Sequence, residues 1–81
     1  MANKKFFDVK VLYPNGPKVR WLEQIILERA PETYCSLSIP PQGICVMEFR
    51  RITKSKAQIF IEEIKRLDPK YKVEPSMYPS R

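Results

Sequence analysis

Residues 6–13 read FFDVKVLY, and in this stretch apolar side chains alternate with others. The apolar set falls on one face, and the charged residues Asp8 and Lys10 fall on the opposite face. Alternation with a period of two residues predicts a β-strand that buries one face. A Pro-Asn-Gly-Pro turn at residues 14–17 ends the strand, and its second proline suits the first turn of a helix.

The rest of the chain alternates between helical and strand patterns. Two segments carry apolar residues at helical spacing, and in the second of them Ser55 and Gln58 match a capping box. Other segments are rich in β-branched, aromatic and alternating apolar residues, as strands are. The predicted elements in chain order are strand 6–13, helix 18–30, strands 33–39 and 44–52, helix 55–67 and strand 71–74.

The order β-α-β-β-α-β predicts an α+β fold. Two right-handed β-α-β crossovers interleave as a ferredoxin-like two-layer sandwich, a four-stranded antiparallel sheet of order 4-1-3-2 with both helices on one face. A chain of 81 residues has room for one domain, which we expect over residues 1–75. Residues 76–81 contain proline and serine without periodicity, which predicts a flexible C-terminal tail.

Strand alternation also predicts the environment of the two cysteines. If Glu48 points to solvent, Cys45 points under the helices, and Cys35 and Leu37 point the same way. Facing residues of an antiparallel pair share a side, so Cys45 should face Leu37 or Ile39 and not Cys35. We therefore expect two buried, reduced thiols; a redox pair or disulfide is the open alternative.

Composition excludes several classes of function. Histidine is absent, which excludes imidazole-dependent nucleophiles and histidine-ligated zinc, and two cysteines are too few for a four-cysteine metal site. With only two glycines there is no glycine-rich phosphate loop, so we expect no catalytic residue, no metal and no cofactor. No apolar stretch approaches the length of a membrane span. These features predict an intracellular, cytoplasmic protein, with a mitochondrial location left open.

One octamer carries a family resemblance. Residues 42–49 read QGICVMEF on the third predicted strand, and they resemble the RNP1 motif of the RNA recognition motif family. The family pattern is Lys/Arg-Gly-aromatic-Gly/Ala-aromatic-Val-x-aromatic, in which Gly43 and Phe49 match the glycine and an inward core position. The resemblance implies the ferredoxin-like fold and RNA binding. Ile44 and Val46 replace the outward aromatics on which this family stacks bases, which predicts a degenerate RNP1 without the usual stacking platform.

Basic residues supply a second indication of nucleic-acid binding. The chain has a net charge of +6, and residues 50–56 hold four cations between the third strand and the second helix. Antiparallel pairing of strands one and three should bring the N-terminal lysines to the same place, beside the positive end of the helix. The predicted nucleic-acid-binding residues are Lys4, Lys5, Lys10, Arg50, Arg51, Lys54 and Lys56. The leading expectation is an RNA-binding module of a ribonucleoprotein assembly that contacts phosphates more than bases.

A second resemblance concerns the start and end of the chain. The sequence KKFF at residues 4–7, the Pro-Asn turn and KVR at residues 18–20 are similar to a small mitochondrial large-subunit ribosomal protein family. Members of that family run from a Lys- and Phe-bearing strand through Asn-Pro into a basic helix. They end, as this chain does at residues 61–66, in a helix of mixed charge. This resemblance also implies a ribonucleoprotein assembly.

The apolar residues on the open face of the sheet support an alternative function. Phe6, Leu12, Ile44 and Val46 are predicted to lie there, and Trp21 lies off the main apolar stripe of the first helix. Exposed apolar and aromatic side chains are typical of protein interfaces. The alternative is therefore a protein-interaction module, either a small inhibitor docked on a larger complex or a homodimer formed through the sheet face.

Overall fold

A computed structural model describes residues 5–32, 34–38 and 43–80. The fold is α+β. Its elements are β1 (Phe6–Pro14), α1 (Val19–Arg29), β2 (Tyr34–Ser38), β3 (Ile44–Thr53), α2 (Lys54–Lys65), the short helix α3 (Asp68–Tyr71) and β4 (Glu74–Pro79).

The strands form one antiparallel sheet in the order β2-β3-β1-β4. Strand β1 is central and pairs with β3 on one side and β4 on the other. The alternation read from residues 6–13 is present in the structure, since Val9 and Val11 are buried and Lys10 is exposed. The two edges of the sheet are β2 and β4.

The core lies between one face of the sheet and the helices α1 and α2. Its buried members are Val9, Val11, Tyr13, Leu22, Ile26, Cys45, Met47, Phe49, Ile52, Ala57, Phe60, Ile64 and Val73. Phe49 of β3 and Phe60 of α2 meet edge to face with their ring centroids 5.0 Å apart, a favourable aromatic geometry. The opposite face of the sheet has no helix of the described chain on it, and we call it the open face.

The register of β2 agrees with the predicted arrangement of the cysteines, although Leu37 is more exposed than the other residues on that side of the sheet. Cys35 lies opposite Phe49, so it does not face Cys45, which is a free and buried thiol. Ile39 and the side chain of Cys35 lie outside what the structure describes. Leu37 pairs with the buried Met47 as expected, yet it is 55% exposed. Its predicted direction toward the core side is therefore correct, and it stays exposed because α2 packs over β1, β3 and β4 and leaves β2 aside.

The end of the chain differs from the sequence prediction. The last strand occupies Glu74–Pro79 and not residues 71–74, so the flexible tail predicted from residue 76 is wrong for residues 76–79. Two prolines had argued against a strand. They are tolerated because the N–H of Ser80 donates to the Phe6 carbonyl at 2.9 Å, which by alternation turns residues 75 and 79 toward the outer edge. An outward position needs no N–H donor, and proline fits there.

The helix boundaries contain two further corrections. Helix α2 begins at Lys54 with Thr53 as its N-cap, and no side chain caps it by a hydrogen bond. The capping box predicted from Ser55 and Gln58 is therefore not formed. Residues 68–71, expected to lead into the last strand, form α3 instead.

Candidate functional site

Several predicted phosphate-binding residues lie together where β3 meets α2. Arg51 lies near the end of β3, Lys54 and Lys56 lie in the first turn of α2, and all three are exposed. Lys5 is exposed and precedes Phe6, the partner of Thr53 in the sheet. We call these residues the basic edge: Lys5, Arg51, Lys54 and Lys56. Lys4, also predicted here, lies outside the described residues.

A β-bulge determines where Arg51 is presented. Phe7 pairs with Ile52 while Val9 pairs with Phe49, so Asp8 alone faces two residues of β3, Arg50 and Arg51. Arg51 takes a left-handed backbone conformation with φ of 59°. Its N–H donates to Asp8 Oδ1 at 3.1 Å, and the Ser80 hydroxyl donates to the same oxygen.

The bulge also gives the Arg51 side chain a support. Its guanidinium carbon lies 5.3 Å from the centroid of the Phe6 ring, within the range of a cation–π contact. Phe6 was predicted to belong to a protein-interaction surface, and in the structure its ring lies beside a cation of the basic edge. The described residues offer this guanidinium no carboxylate within ion-pair distance.

The start of α2 adds donors at the same place. Its first turn contains no acidic residue, and no side chain caps its N–H groups. The first N–H groups of a helix have no partner within the helix and carry the positive end of its dipole. The basic edge therefore combines exposed cationic side chains with backbone N–H donors of the helix start, an arrangement suited to phosphate oxygens.

The two other predicted basic residues, Lys10 and Arg50, lie on the open face and are engaged by Glu48. The Arg50 guanidinium donates to Glu48 Oε1 from Nε at 3.1 Å and from Nη2 at 2.9 Å. The Lys10 ammonium lies 4.0 Å from Glu48 Oε2, to which the Tyr78 hydroxyl also donates. The Glu48 carboxylate thus contacts two cations and a phenol, and its negative charge partly neutralises Lys10 and Arg50.

The same contacts shift two pKa values in opposite directions. The hydrogen bond from Tyr78, followed by those from Arg50, holds the pKa of Glu48 below its usual range, although partial burial opposes this. Partial burial and the bond to Glu48 raise the pKa of Tyr78 to about 12. At neutral pH the network therefore contains a carboxylate and a neutral phenol.

The open face changes character along the strands. Beyond the Glu48 network, Leu12 pairs with Val46 and Pro14 pairs with Ile44, which is 51% exposed. Leu12 and Val46 are half-buried. The structure thus brings together three of the predicted protein-contact residues in one apolar patch.

Trp21 lies away from that patch. It is 44% exposed, and its ring meets the Tyr71 ring edge to face with centroids 5.0 Å apart. Trp21 therefore belongs to the contact between α1 and α3 and not to the open face.

Sequence reasoning missed Asp8, Tyr78 and Ser80. Tyr78 and Ser80 were placed in a tail, so their hydrogen bonds to Glu48 and Asp8 were not foreseen. A usable signal was present, because Met77 and Tyr78 are large apolar and aromatic residues between the two prolines.

Two further properties of the described chain bear on function. Its His, Cys, Asp and Glu side chains form no group of three that could hold a metal ion. None of its helices is both long enough and apolar enough to cross a membrane.

Comparison with known proteins yields a likeness of fold. No protein family and no curated protein matches the sequence. Among solved structures, the de novo designed protein Foldit4 is similar with a TM-score of 0.58 and 23% sequence identity, over 95% of this chain and 98% of that one. At this identity the likeness concerns the fold alone.

Proposed function

We propose that this chain is a ferredoxin-like module, similar to an RNA recognition motif, that binds single-stranded RNA through the basic edge inside a ribonucleoprotein assembly. It acts by binding and performs no catalysis. The observation that carries the proposal is the gathering of Arg51, Lys54 and Lys56 beside the uncapped start of α2, with no ion pair to any described residue.

The contrast between two groups of cations supports this assignment. Lys10 and Arg50 form ion pairs with Glu48, and the pair with Lys10 connects β1 to β3 within the sheet. The cations of the basic edge form no ion pair with a described residue. A cluster of unpaired cations and backbone donors attracts a polyanion such as RNA.

The proposed mechanism is recognition of the sugar–phosphate backbone. Ile44 and Val46 offer no aromatic face, and the hydroxyl of Tyr78 is held by Glu48 while Lys10 lies 5.4 Å from its ring centroid. Base stacking on the open face is therefore not part of the mechanism. Contacts to phosphates position a protein on nucleic acid and carry little sequence information.

Titration of a fluorescent single-stranded RNA at several salt concentrations tests the proposal. Each neutralised phosphate contributes a slope of roughly −0.7 in log affinity against log salt, so three contacts, from Arg51, Lys54 and Lys56, predict a slope of about −2. The double variant Lys54→Gln/Lys56→Gln should bind more weakly and retain a slope of about −0.7. The loss should be nearly uniform across RNA sequences.

The matched control is Lys65→Gln/Arg66→Gln. It removes the same charge from the opposite end of α2, where both residues are exposed. Its affinity should stay close to that of the unmodified protein. Absence of binding at low salt, or equal losses in both double variants, would refute the basic edge as the RNA-binding site.

A second candidate function rests on the apolar patch of Leu12, Ile44 and Val46. An exposed isoleucine beside two half-buried apolar residues favours contact with a protein, including a second copy of the chain. Val46→Glu should weaken self-association in sedimentation measurements while leaving the fold intact, because Val46 faces away from the helices. An unmodified protein that is monomeric at high concentration would remove the homodimer from consideration.

A further inference from the structure

A cleft opens at the end of the molecule opposite the basic edge. It has a volume of ≈ 600 Å³ and lies between the β1–α1 loop and the segment of α3 that leads to β4. Strand β1 begins beside the basic edge at Phe6 and ends at this cleft with Pro14. At about 3.3 Å per residue, the two places are roughly 25 Å apart.

The walls of the cleft are largely apolar. Pro14 and Pro17 contribute from the loop, Val19 and Leu22 contribute from α1, and Tyr71 contributes from α3. Tyr71 is fixed by its edge-to-face contact with Trp21. Small-molecule sites in proteins are concave and mostly apolar, with volumes of about 300–1,000 Å³ and a few polar groups that orient the ligand.

The charged side chains that line this cleft are all cationic. Lys18, Lys70 and Lys72 line it, all three are exposed, and the described lining contains no carboxylate. The ammonium of Lys70 lies 5.9 Å from the centroid of the Tyr71 ring, so one cation is held over the apolar wall. No described carboxylate forms an ion pair with any of the three.

We infer that this cleft binds a small amphiphilic anion, an aryl or acyl group that carries a phosphate or carboxylate. The apolar body would lie against Val19, Leu22 and Tyr71, and the anionic group would meet the lysines at the rim. The volume of this open cleft suits a ligand of this size, whereas an extended RNA strand needs a surface that continues along its backbone. The inference does not depend on RNA binding at the basic edge.

Calorimetry with three probes tests the ligand class. The probes are 1-naphthyl phosphate, inorganic phosphate and 1-naphthol, which present both features, the anion alone and the aryl group alone. Naphthyl phosphate should bind at least about tenfold more tightly than either other probe, because only it uses both the walls and the rim. Amide chemical-shift changes should concentrate at residues 14–22 and 70–72.

Two double variants locate the site. Lys18→Gln/Lys70→Gln should weaken naphthyl phosphate about tenfold through the loss of two charged contacts. Lys65→Gln/Arg66→Gln, which changes the net charge equally, should weaken it by less than about twofold. Lys72 is left in place because its backbone is left-handed, with φ of 55°, so that a substitution there would also affect the stability of the backbone conformation.

Several outcomes would overturn the inference. Equal affinity for inorganic phosphate means a simple anion site, and equal affinity for naphthol means an uncharged apolar site. Equal losses in the two double variants mean attraction by net charge alone. Binding of an acidic peptide without binding of naphthyl phosphate would make the cleft a protein-docking surface instead.

Discussion

Replacing Arg51 with glycine and, separately, with alanine isolates the cost of the left-handed backbone in the β3 bulge. Both substitutions remove the guanidinium and its contact with Phe6, so those losses cancel when the two variants are compared. The N–H that donates to Asp8 remains in both. The difference in their free energies of unfolding therefore reports the backbone conformation at this position.

We expect the glycine variant to be more stable than the alanine variant, which is the reverse of the order found in a regular strand. In a regular strand, glycine is less stable than alanine by roughly 0.5–1 kcal/mol because it loses more backbone entropy on folding. At a φ of 59°, alanine keeps a left-handed strain of about 1–2 kcal/mol that glycine does not have. Arg51→Gly should thus be more stable than Arg51→Ala by about 0.5–1 kcal/mol.

Urea unfolding measures this difference. With a slope near 1 kcal/mol per molar urea for a small domain, the midpoints should differ by about 0.5–1 M. Lys10, exposed in β1 and without a positive φ, supplies the control pair, and there the alanine variant should be the more stable one. An alanine variant at position 51 as stable as the glycine variant would refute the strained bulge. RNA affinity should fall equally in both Arg51 variants, because each lacks the cation.

Three other outcomes are expected. The unmodified protein should lose about 1–3 kcal/mol of folding stability as the pH rises from 10 to 12, and the variant Tyr78→Phe should not show this loss. The reason is that the pKa of Tyr78 is raised to about 12, so the folded state holds this proton more tightly than the unfolded state does. Thermal unfolding at alkaline pH measures the effect, and an identical alkaline loss in the variant would contradict it. Cys45 should react with thiol reagents only after unfolding, because burial raises the pKa of its thiol and blocks access; rapid native labelling, located by peptide mass spectrometry, would contradict this. Phe60→Ala should destabilise by about 3–5 kcal/mol through a cavity against Phe49, whereas the neighbouring exposed Ile59→Ala should change urea unfolding by less than about 0.5 kcal/mol. Similar losses at these two adjacent positions would mean that the face of α2 is misassigned.

Among the candidate site residues, the sequence shows where the cations lie along the chain but does not show what each cation contacts in the fold. Arg50 and Arg51 are adjacent and chemically identical in the sequence. In the fold, Arg50 is bound to Glu48, whereas Arg51 sits in a bulge over Phe6. The difference arises from Asp8, which lies 43 residues away from Arg51 and faces both arginines. No local pattern carries that information.

What the sequence determined by itself is the set of elements whose signal is a local period. The two-residue alternation of β1 and the helical spacing of α1 and α2 follow from backbone geometry that each segment has on its own. The inward position of Cys45 follows from the same alternation within β3. These features need no knowledge of the partner across the sheet.

Only the tertiary structure decided where pairing overrides local preference. Pro75 and Pro79 argue against a strand, yet β4 forms because β1 supplies its hydrogen bonds from one side and leaves the proline positions on the outer edge. Leu37 alternates correctly and is still exposed, because burial requires a helix above the strand and α2 packs over β1, β3 and β4 instead of β2. Periodicity states which way a side chain points, whereas contacts between distant segments decide what it meets there.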